Sequence, residues 1–262
     1  DANIYAVVSQ PVHVECLSNI ADTRHIKIQV LLDIDVGMHR TGIEIGDQAL
    51  SLYRSVDSKT NLSASGLHIY DGHEHFSNIH ERERAAHAHI NEVKEFVGRL
   101  RSSNLQVERI VGGGSFSFPY YAKTEGMHGS PGTCIYWDTG YADAMPDVPF
   151  QWAALVLGQV VDVYSNNDRQ MITTDLGLKA ICGDVPLVKR ARLLNNPQAE
   201  LIGQSEEHGM FSWSDSLPDI GSYVLAVPGH VCPTTIRYSG SYVLDNGGEL
   251  VDFYPHTARD RQ

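Results

Sequence analysis

The hydrophobic pattern of the first half of the chain alternates between two spacings. Ile26–Ile34 is almost continuously apolar, which is typical of a parallel strand covered on both faces. Apolar residues at helical spacing predict helices between such runs, and the strongest helix is predicted over Ser77–Ser102. The predicted strands are Ile4–Val8, Ile26–Ile34, Gly66–Tyr70, Val107–Val111 and Cys134–Trp137, and the other predicted helices are Val12–Ile20 and Gln48–Val56. This order of elements predicts a βα-type sheet.

After about residue 150 the pattern becomes rich in strands and contains no strong helix. The strands predicted there are Trp152–Val163, Met171–Thr174, Ser222–Val227, Thr234–Tyr238 and Ser241–Leu244. Asn246-Gly247-Gly248 predicts a tight turn between Val243 and Val251. We therefore predict an α/β domain at residues 1–150 and a mostly β domain at residues 151–262. Five βα strands do not close an eight-stranded barrel, so either the sheet is open or three strands precede Asp1.

Composition narrows the class of protein. The 262 residues are 42% hydrophobic, which is enough for a sizeable core. The net charge of −12 argues against nucleic acid and an anionic membrane surface as partners, because both need a basic face. Cys16, Cys134, Cys182 and Cys232 are far apart, and neither a signal peptide nor an apolar membrane span is evident. We expect a cytoplasmic enzyme.

Polar residues follow three of the predicted strands, and in βα barrels this end of the strands carries the active site. Arg40, in the segment Asp33–Gly42, could hold an anionic or phenolic oxygen of a ligand, or could be a surface residue. His68 and Tyr70 could pack on a planar cofactor or transfer protons. Gly112–Ser115 would let the backbone approach a phosphate, although glycine runs also occur in ordinary turns.

Three histidines follow in a His-rich segment, and we interpret His73, His75 and His80 as simple loop residues. A metal cluster of His73, Glu74 and His75 is an alternative. If the segment were a strand, however, neighbouring side chains would point to opposite faces and could not share one ion.

Two further candidates lie in the second half of the pattern. Tyr136 and Asp138 end the predicted strand Cys134–Trp137 and could reach a ligand, or could belong to a buried strand with a capping Asp. His230 and Cys232 are the best metal candidates, because residues two apart in an extended segment face the same side. An imidazole and a thiolate can share one zinc ion, and a buried His and Cys without metal are the alternative.

Together these motifs resemble one family, the D-threonine aldolase and D-serine dehydratase group of alanine racemase-like, fold-type III pyridoxal-phosphate (PLP) enzymes. The segments that carry the resemblance are DIDVGMHRTG (33–42), GLHIYDGH (66–73), VGGGSFSF (111–118), GTCIYWDTGYAD (132–143), TDLGLKAICGD (174–184), SEEHG (205–209) and PGHVCPTTIRYSGSYVLDNGGELVDFYPHTARDR (228–261). The resemblance implies a (β/α)8-type PLP-binding barrel and a C-terminal, mostly β domain that carries a metal site.

The resemblance also implies residue roles. The implied PLP-binding residues are Arg40 at the phenolic oxygen, His68 and Tyr70 at the ring, Gly113, Gly114 and Ser115 at the phosphate, and Tyr136 nearby. His230 and Cys232 would bind a divalent metal and act in catalysis through it, and Tyr70 would also be catalytic. Zinc is the expected metal, with manganese and magnesium as alternatives.

The implied activity is a metal-assisted lyase reaction on D-β-hydroxy amino acids, in an expected homodimer. The reaction would be D-serine-type dehydration to a keto acid and ammonia, or D-threonine-type aldol cleavage to glycine and an aldehyde. Cys232 favours dehydration, because the dehydratase branch tends to pair His with Cys and the aldolase branch His with Asp. The alternatives are a PLP-dependent amino-acid racemase, a non-catalytic PLP-binding protein and an inactive fragment.

One departure from the family concerns the cofactor lysine, which the resemblance places upstream of Asp1. The lysines of this chain are Lys27, Lys59, Lys94, Lys123, Lys179 and Lys189, and none of them lies in the family's cofactor-lysine motif. We therefore expect a fragment that lacks the first three barrel strands. Alone it would be inactive, and its exposed sheet edges and apolar surface would make it poorly soluble.

Overall fold

A computed structural model of the chain describes residues 3–167 and 169–259. Asp1 and the last two residues of the 228–261 motif, Asp260 and Arg261, lie outside the described residues. The chain divides into two compact units, Asp1–Gly132 and Thr133–Gln262. The predicted division into domains at residues 150 and 151 stays a prediction.

The first unit contains a parallel sheet with helices between its strands. Its elements are β1 (Tyr5–Val8), α1 (Pro11–Arg24), β2 (Ile28–Asp35), β3 (Ile43–Glu44), α2 (Asp47–Asp57), β4 (Leu62–Ile69), α3 (Ile79–Ser102), β5 (Arg109–Gly112), α4 (Phe118–Lys123) and β6 (Met127–Gly129). The strand order is β1-β2-β4-β5-β6, all neighbours are parallel, and β3 pairs with β2. Leu32 and Leu67 face each other on neighbouring strands and are buried in the core. The predicted α/β class is confirmed.

Helix α3 shows how the sequence specifies an element at both its start and its buried face. Asn78 caps its start, because the side-chain oxygen accepts hydrogen bonds from the backbone N–H groups of His80 and Glu81. Apolar residues at helical spacing are buried from Ala86 onward, and they include Ile90 and Phe96. The predicted helix is confirmed, and this packing fixes its orientation on the sheet.

The second unit is built on an antiparallel sheet. Its elements are α5 (Thr139–Ala144), β7 (Val156–Ser165), β8 (Gln170–Thr174), β9 (Ala191–Leu193), β10 (Leu201–Gln204), β11 (Gly209–Ser212), β12 (Tyr223–Pro228), α6 (Val231–Thr235), β13 (Gly240–Leu244) and β14 (Leu250–Pro255), with 3-10 turns at Thr133–Ile135 and Leu187–Lys189. The strand order is β10-β11-β8-β7-β12-β9, and Ile172, Leu201 and Phe211 lie in its core. This confirms the predicted mostly β region.

Strands β13 and β14 form a separate hairpin, as the Asn246-Gly247-Gly248 turn predicts. The N–H of Asp245 donates to the carbonyl of Glu249, and Gly248 has a φ of 83°, a conformation that favours glycine. Among the described residues, no helix is both long enough and apolar enough to cross a bilayer.

Two predicted strands are wrong. Cys134–Trp137 is a turn: the N–H groups of Tyr136 and Trp137 both donate to the carbonyl of Thr133, and Trp137 has a φ of 55°. Its apolar residues serve an aromatic cluster, in which Trp137 stacks on Tyr141, and do not pair in a sheet. The fifth parallel strand is β6.

Thr234–Tyr238 is the second wrong prediction, because this segment continues the short helix α6. Pro233 lies in the first turn of that helix, where its missing N–H costs nothing. The hydroxyl of Thr234 donates to the carbonyl of His230 and closes the turn. The β-branched composition that suggested a strand is therefore overruled by local hydrogen bonding.

Candidate active-site residues

In the first unit, Arg40 and Tyr70 come together as the motifs predict. The guanidinium of Arg40 lies 4.5 Å from the centroid of the Tyr70 ring. A small cavity beside them is lined by Asp33, Ile34, Met38, Arg40, Thr41 and Tyr70. It opens at the carboxyl ends of β2 and β4, the edge of the sheet at which the sequence places a ligand.

His68 is held in place by a partner that the sequence did not single out. Its Nδ1 lies 2.7 Å from Oδ1 of Asp33, which is a buried carboxylate. The two residues are register partners on the parallel strands β2 and β4. This register fixes the orientation of the imidazole at the strand ends.

The loop after β2 presents Arg40 and is organised by Asp35. Oδ1 of Asp35 accepts hydrogen bonds from the backbone N–H groups of Gly37 and His39, both at 3.0 Å. Burial raises the pKa of Asp35, but these bonds and the His39 side chain outweigh it, so that the pKa is lowered overall. Gly42 ends the loop with a φ of 105°, and a Cβ there would lie 2.6 Å from the backbone nitrogen of Asp35.

The glycine run after β5 lies against Tyr70. A Cβ on Gly114 would be only 3.4 Å from the Tyr70 ring, so the backbone passes close to the cavity. The N–H of Gly114 already donates to Oδ1 of Asp71 at 2.8 Å, and Ser117 donates to the same oxygen. Gly114 therefore lets a ligand approach the backbone closely, but its N–H is already used in hydrogen bonds. The Ser115 hydroxyl makes no hydrogen bond within the described part of the chain.

Asp71 is the centre of this loop arrangement and is missed by sequence reasoning. Its side chain is fully buried, and the hydroxyl of the buried Tyr121 lies beside it. Burial and the Asp71 carboxylate raise the pKa of Tyr121 far above its ordinary value. The only signal in the sequence is the position of an Asp directly after Tyr70, which does not reveal its burial.

These residues suit a planar, anionic, aromatic ligand such as PLP. A cation stands over an aromatic ring, an oriented imidazole lies on the neighbouring strand, and a glycine backbone approaches closely. Arg40, His68, Tyr70 and Gly114 are thus gathered at one edge of the sheet. Their predicted roles toward the cofactor stay predictions.

None of the six lysines, all of which are described, lines this cavity. Lys59 pairs with Glu15 at 2.8 Å, and Lys179 is exposed and pairs with Glu207. The Glu207 hydrogen bond raises the pKa of Lys179, which is the opposite of what a nucleophilic amine needs. Lys179 is therefore an ion-pairing surface residue.

In the second unit, His230 and Cys232 meet, but not through an extended segment as we argued. His230 has an extended backbone, whereas Cys232 lies in the first turn of α6. Nδ1 of His230 lies 2.5 Å from Oδ2 of Asp184. The hydrogen bond to Cys232, and then the Asp184 carboxylate, raise the pKa of His230 to about 9. The imidazole in turn lowers the pKa of Cys232, and this favours the thiolate.

Two buried polar residues hold the segment that carries this pair. Asp138 is 1% exposed, and its two carboxylate oxygens accept from the N–H groups of Tyr141 at 2.9 Å and Val231 at 3.0 Å. Burial raises the pKa of Asp138. The hydroxyl of Thr133 lies 3.4 Å from the Cys232 sulfur. Val231 stands between the two candidate ligands, so that Asp138 fixes their spacing.

The donor set fits a divalent metal. A thiolate and an imidazole are zinc ligands, and a carboxylate on the other ring nitrogen of a ligating histidine is the common supporting arrangement. The sequence suggested Asp138 as a capping residue or a ligand contact, and Asp138 does cap α5. It did not indicate that Asp138 or Asp184 would support His230 and Cys232. Tyr136, predicted to line the cofactor pocket from a strand, lies in the turn after Thr133–Ile135 and is half-buried.

The comparisons with known proteins agree with this architecture. The family described as "Alanine racemase, N-terminal domain" matches residues 1–140, and "Putative serine dehydratase domain" matches residues 153–244. The chain therefore belongs to the alanine racemase N-terminal domain family. The fold is the alanine racemase-like fold of fold-type III PLP enzymes, and the resemblance inferred from the motifs is confirmed.

Three relatives illustrate the similarity. A 3-hydroxy-D-aspartate aldolase from Paracoccus denitrificans (strain Pd 1222) is 25% identical over an alignment of 271 residues, gaps included. The alignment covers 99% of this chain and 68% of that protein. A D-threonine aldolase from Arthrobacter sp is 26% identical over 84% of this chain and 58% of its own length. The crystal structure of D-threonine aldolase from Filomicrobium marinum superposes with a TM-score of 0.88 at 27% identity, covering 98% of this chain and 70% of that one.

Proposed function

We propose that the protein is a PLP-dependent, metal-assisted lyase that acts on D-β-hydroxy amino acids. The observation that carries the proposal is the His230–Cys232 pair, in which Asp184 holds the imidazole and the thiol pKa is lowered. The family fold supports it, and so do relatives named D-threonine aldolase and 3-hydroxy-D-aspartate aldolase. Because the chain spans 58–68% of those two relatives, the proposal concerns the protein expressed from its complete reading frame.

In this proposal the first unit binds the cofactor. Arg40 would hold the phenolic oxygen, His68 and Tyr70 would line the ring, and Gly113, Gly114 and Ser115 would hold the phosphate; the Arg40–Tyr70 stack, the His68–Asp33 pair and the close approach of the Gly114 backbone to Tyr70 support these roles. When bound, PLP supplies an electron sink for the bond broken at or next to Cα of the substrate. His68, oriented by Asp33, and the Tyr70 hydroxyl are the groups of this chain that can hold or transfer a proton there.

In the second unit, Nε2 of His230 and the sulfur of Cys232 would hold the metal. Asp184 keeps the imidazole oriented from its other nitrogen, and Asp138 and Thr133 hold the ligand segment. A divalent metal there supplies a Lewis acid for the β-oxygen of the substrate. Nitrogen and sulfur ligands favour zinc over the oxygen-preferring magnesium and manganese.

The choice between dehydration and aldol cleavage depends on which bond aligns with the cofactor. Cys232, in place of the Asp typical of the aldolase branch, favours dehydration, whereas the two curated relatives described above are named aldolases. Both reactions use the same residues, so product analysis must decide. A homodimeric assembly and a cytoplasmic location remain predictions.

The test is an assay of both enantiomers of serine and threonine with PLP and zinc. We expect the D-enantiomers alone to yield keto acid and ammonia, or glycine and aldehyde, while Cys232→Ala loses most of this activity. Cys16→Ala is the matched control, because Cys16 is exposed on α1. Inversion at Cα without cleavage, unaffected by chelation, would instead establish a racemase and overturn the proposal.

A further inference from the structure

A second cluster of metal-binding side chains lies in the first unit, on residues to which we have assigned no role so far. His73 and Glu74 belong to the loop between β4 and α3, and His89 lies in the middle of α3. The nitrogen and oxygen atoms that could bind an ion all lie within 4.8 Å of one another. Sequence analysis left a related cluster of His73, Glu74 and His75 as the less favoured alternative, on the assumption of a strand. His73 and Glu74 instead lie in a turn, in which the N–H of Glu74 donates to the carbonyl of Asp71.

The spacing of the donor atoms suits one tetrahedral ion. With metal–ligand bonds of about 2.0–2.1 Å, two ligand atoms of a tetrahedral zinc stand roughly 3.3–3.4 Å apart. Oε1 of Glu74 lies 3.3 Å from Nε2 of His89 and 3.5 Å from Nε2 of His73. Two edges of the triangle are close to this length, and the third, between the two imidazoles, is no longer than 4.8 Å.

The surroundings of the cluster favour a ligand. The side chains of His73, Glu74 and His89 are 31%, 21% and 14% exposed, so that they are partly withdrawn from water but reachable. Both imidazoles turn Nε2 toward one carboxylate oxygen, and their rings stand 6.1 Å apart at 58°. Gly37 lies beside His73, and its missing Cβ, which would be 3.2 Å from Nε2, leaves that nitrogen accessible.

The neighbouring histidines show that this convergence is not general for the His-rich segment. His75 turns away and packs edge-on against Phe116, with ring centroids 5.1 Å apart. His87, two residues before His89 on α3, packs on Tyr120 and is about half exposed. Only one imidazole from the loop and one from the helix therefore meet at Glu74 among the described residues.

We propose that His73, Glu74 and His89 form a zinc-class metal site, separate from the His230–Cys232 pair. An ion there would be held by two nitrogens and one carboxylate oxygen, with a fourth position left for water. It would fasten the loop after β4 to α3. That loop contains Asp71, the buried carboxylate that organises the glycine run beside the Tyr70 ring, so the ion would stabilise the position of this run. This site does not depend on the proposed lyase function.

The test counts zinc bound per chain after equilibrium dialysis of the protein from its complete reading frame, with elemental analysis. We expect His89→Ala to lose one equivalent and Glu74→Gln to bind that equivalent at least tenfold more weakly. His87→Ala should bind as much zinc as the wild type. Cys232→Ala tests the His230–Cys232 pair and should remove a second, different equivalent of zinc. The two proposed metal sites can therefore be refuted independently of each other.

Circular dichroism separates loss of ligand from loss of fold. In the folded wild type, zinc should raise the melting temperature, and in folded His89→Ala this rise should shrink while that in His87→Ala remains. If His89→Ala proves unfolded, the isosteric Glu74→Gln decides. Zinc stoichiometry and affinity unchanged in a folded His89→Ala or Glu74→Gln protein would overturn the proposal.

Discussion

Removing the Asp138 carboxylate should destabilise the second unit and loosen the His230–Cys232 pair. Asp138 is 1% exposed, and its two oxygens each accept one backbone N–H, from Tyr141 and Val231. Asp138→Ala removes the acceptor of the buried N–H of Val231 and of the partly buried N–H of Tyr141, at about 1–3 kcal/mol each, so we expect a loss of roughly 2–6 kcal/mol in the free energy of unfolding.

Asp138→Asn should cost about half as much, because the amide oxygen still accepts one bond while its NH2 group faces the other donor. Burial already raises the pKa of Asp138, so part of the carboxylate's contribution is offset by its desolvation. We therefore expect the order wild type, Asp138→Asn, Asp138→Ala, with stability falling along it.

The assay is urea denaturation followed by tryptophan fluorescence, since Trp137 is buried next to Asp138. Asp143→Ala is the matched control: Asp143 pairs with Arg192 at 2.7 Å on the surface, and such pairs contribute about 0–1 kcal/mol. Zinc affinity should fall in the Asp138 variants and stay unchanged in the control. If Asp138→Ala is no less stable than Asp143→Ala, the proposed supporting role of Asp138 is wrong.

Two further predictions concern the first unit. Because the pKa of Asp35 is lowered in the folded protein, the unfolded chain binds the Asp35 proton more tightly. The ionised Asp35 side chain therefore contributes its full share to the free energy of unfolding above pH about 4, and this contribution fades as the pH falls below that value. The gap in unfolding free energy between wild type and Asp35→Asn should narrow in acid, and a constant gap would refute this. Gly113→Ala should destabilise the protein by more than about 1 kcal/mol, because φ of Gly113 is 88° and the new Cβ would lie 2.7 Å from the backbone of Phe118. Gly98 faces open space on α3, so Gly98→Ala should stabilise the protein by about 0.5–1 kcal/mol. Equal changes in melting temperature for Gly113→Ala and Gly98→Ala would contradict this explanation of the two glycines.

Long periodic segments of this chain could be predicted from sequence, and short ones could not. The continuous apolar run of β2 and the helical spacing of apolar residues in α3 each extend over enough residues to be distinctive. Cys134–Trp137 is too short for that, and its apolar side chains pack equally well in a turn with Trp137 in the left-handed region. A short apolar segment therefore predicts that its side chains are buried, but not which backbone conformation it adopts.

The candidate site follows the same division. The sequence suggests Arg40, Tyr70, His230 and Cys232 as candidates because their motifs are local. Their partners come from elsewhere in the chain: Asp33 reaches His68 through the β2–β4 register, and Asp184 reaches His230 from a distant loop. No local pattern records such pairings, so the electrostatics that tune each ligand become visible only in the fold.

The most direct test of the proposed function is to return metal to the chelated protein and measure D-specific cleavage at each step. The protein should come from its complete reading frame, be saturated with PLP, and be compared with Cys232→Ala and Cys16→Ala. We predict that chelation abolishes turnover, that zinc restores it in the wild type and in Cys16→Ala, and that Cys232→Ala recovers little. Full turnover of D-serine or D-threonine after chelation, or equal recovery in Cys232→Ala, would contradict the metal-assisted mechanism.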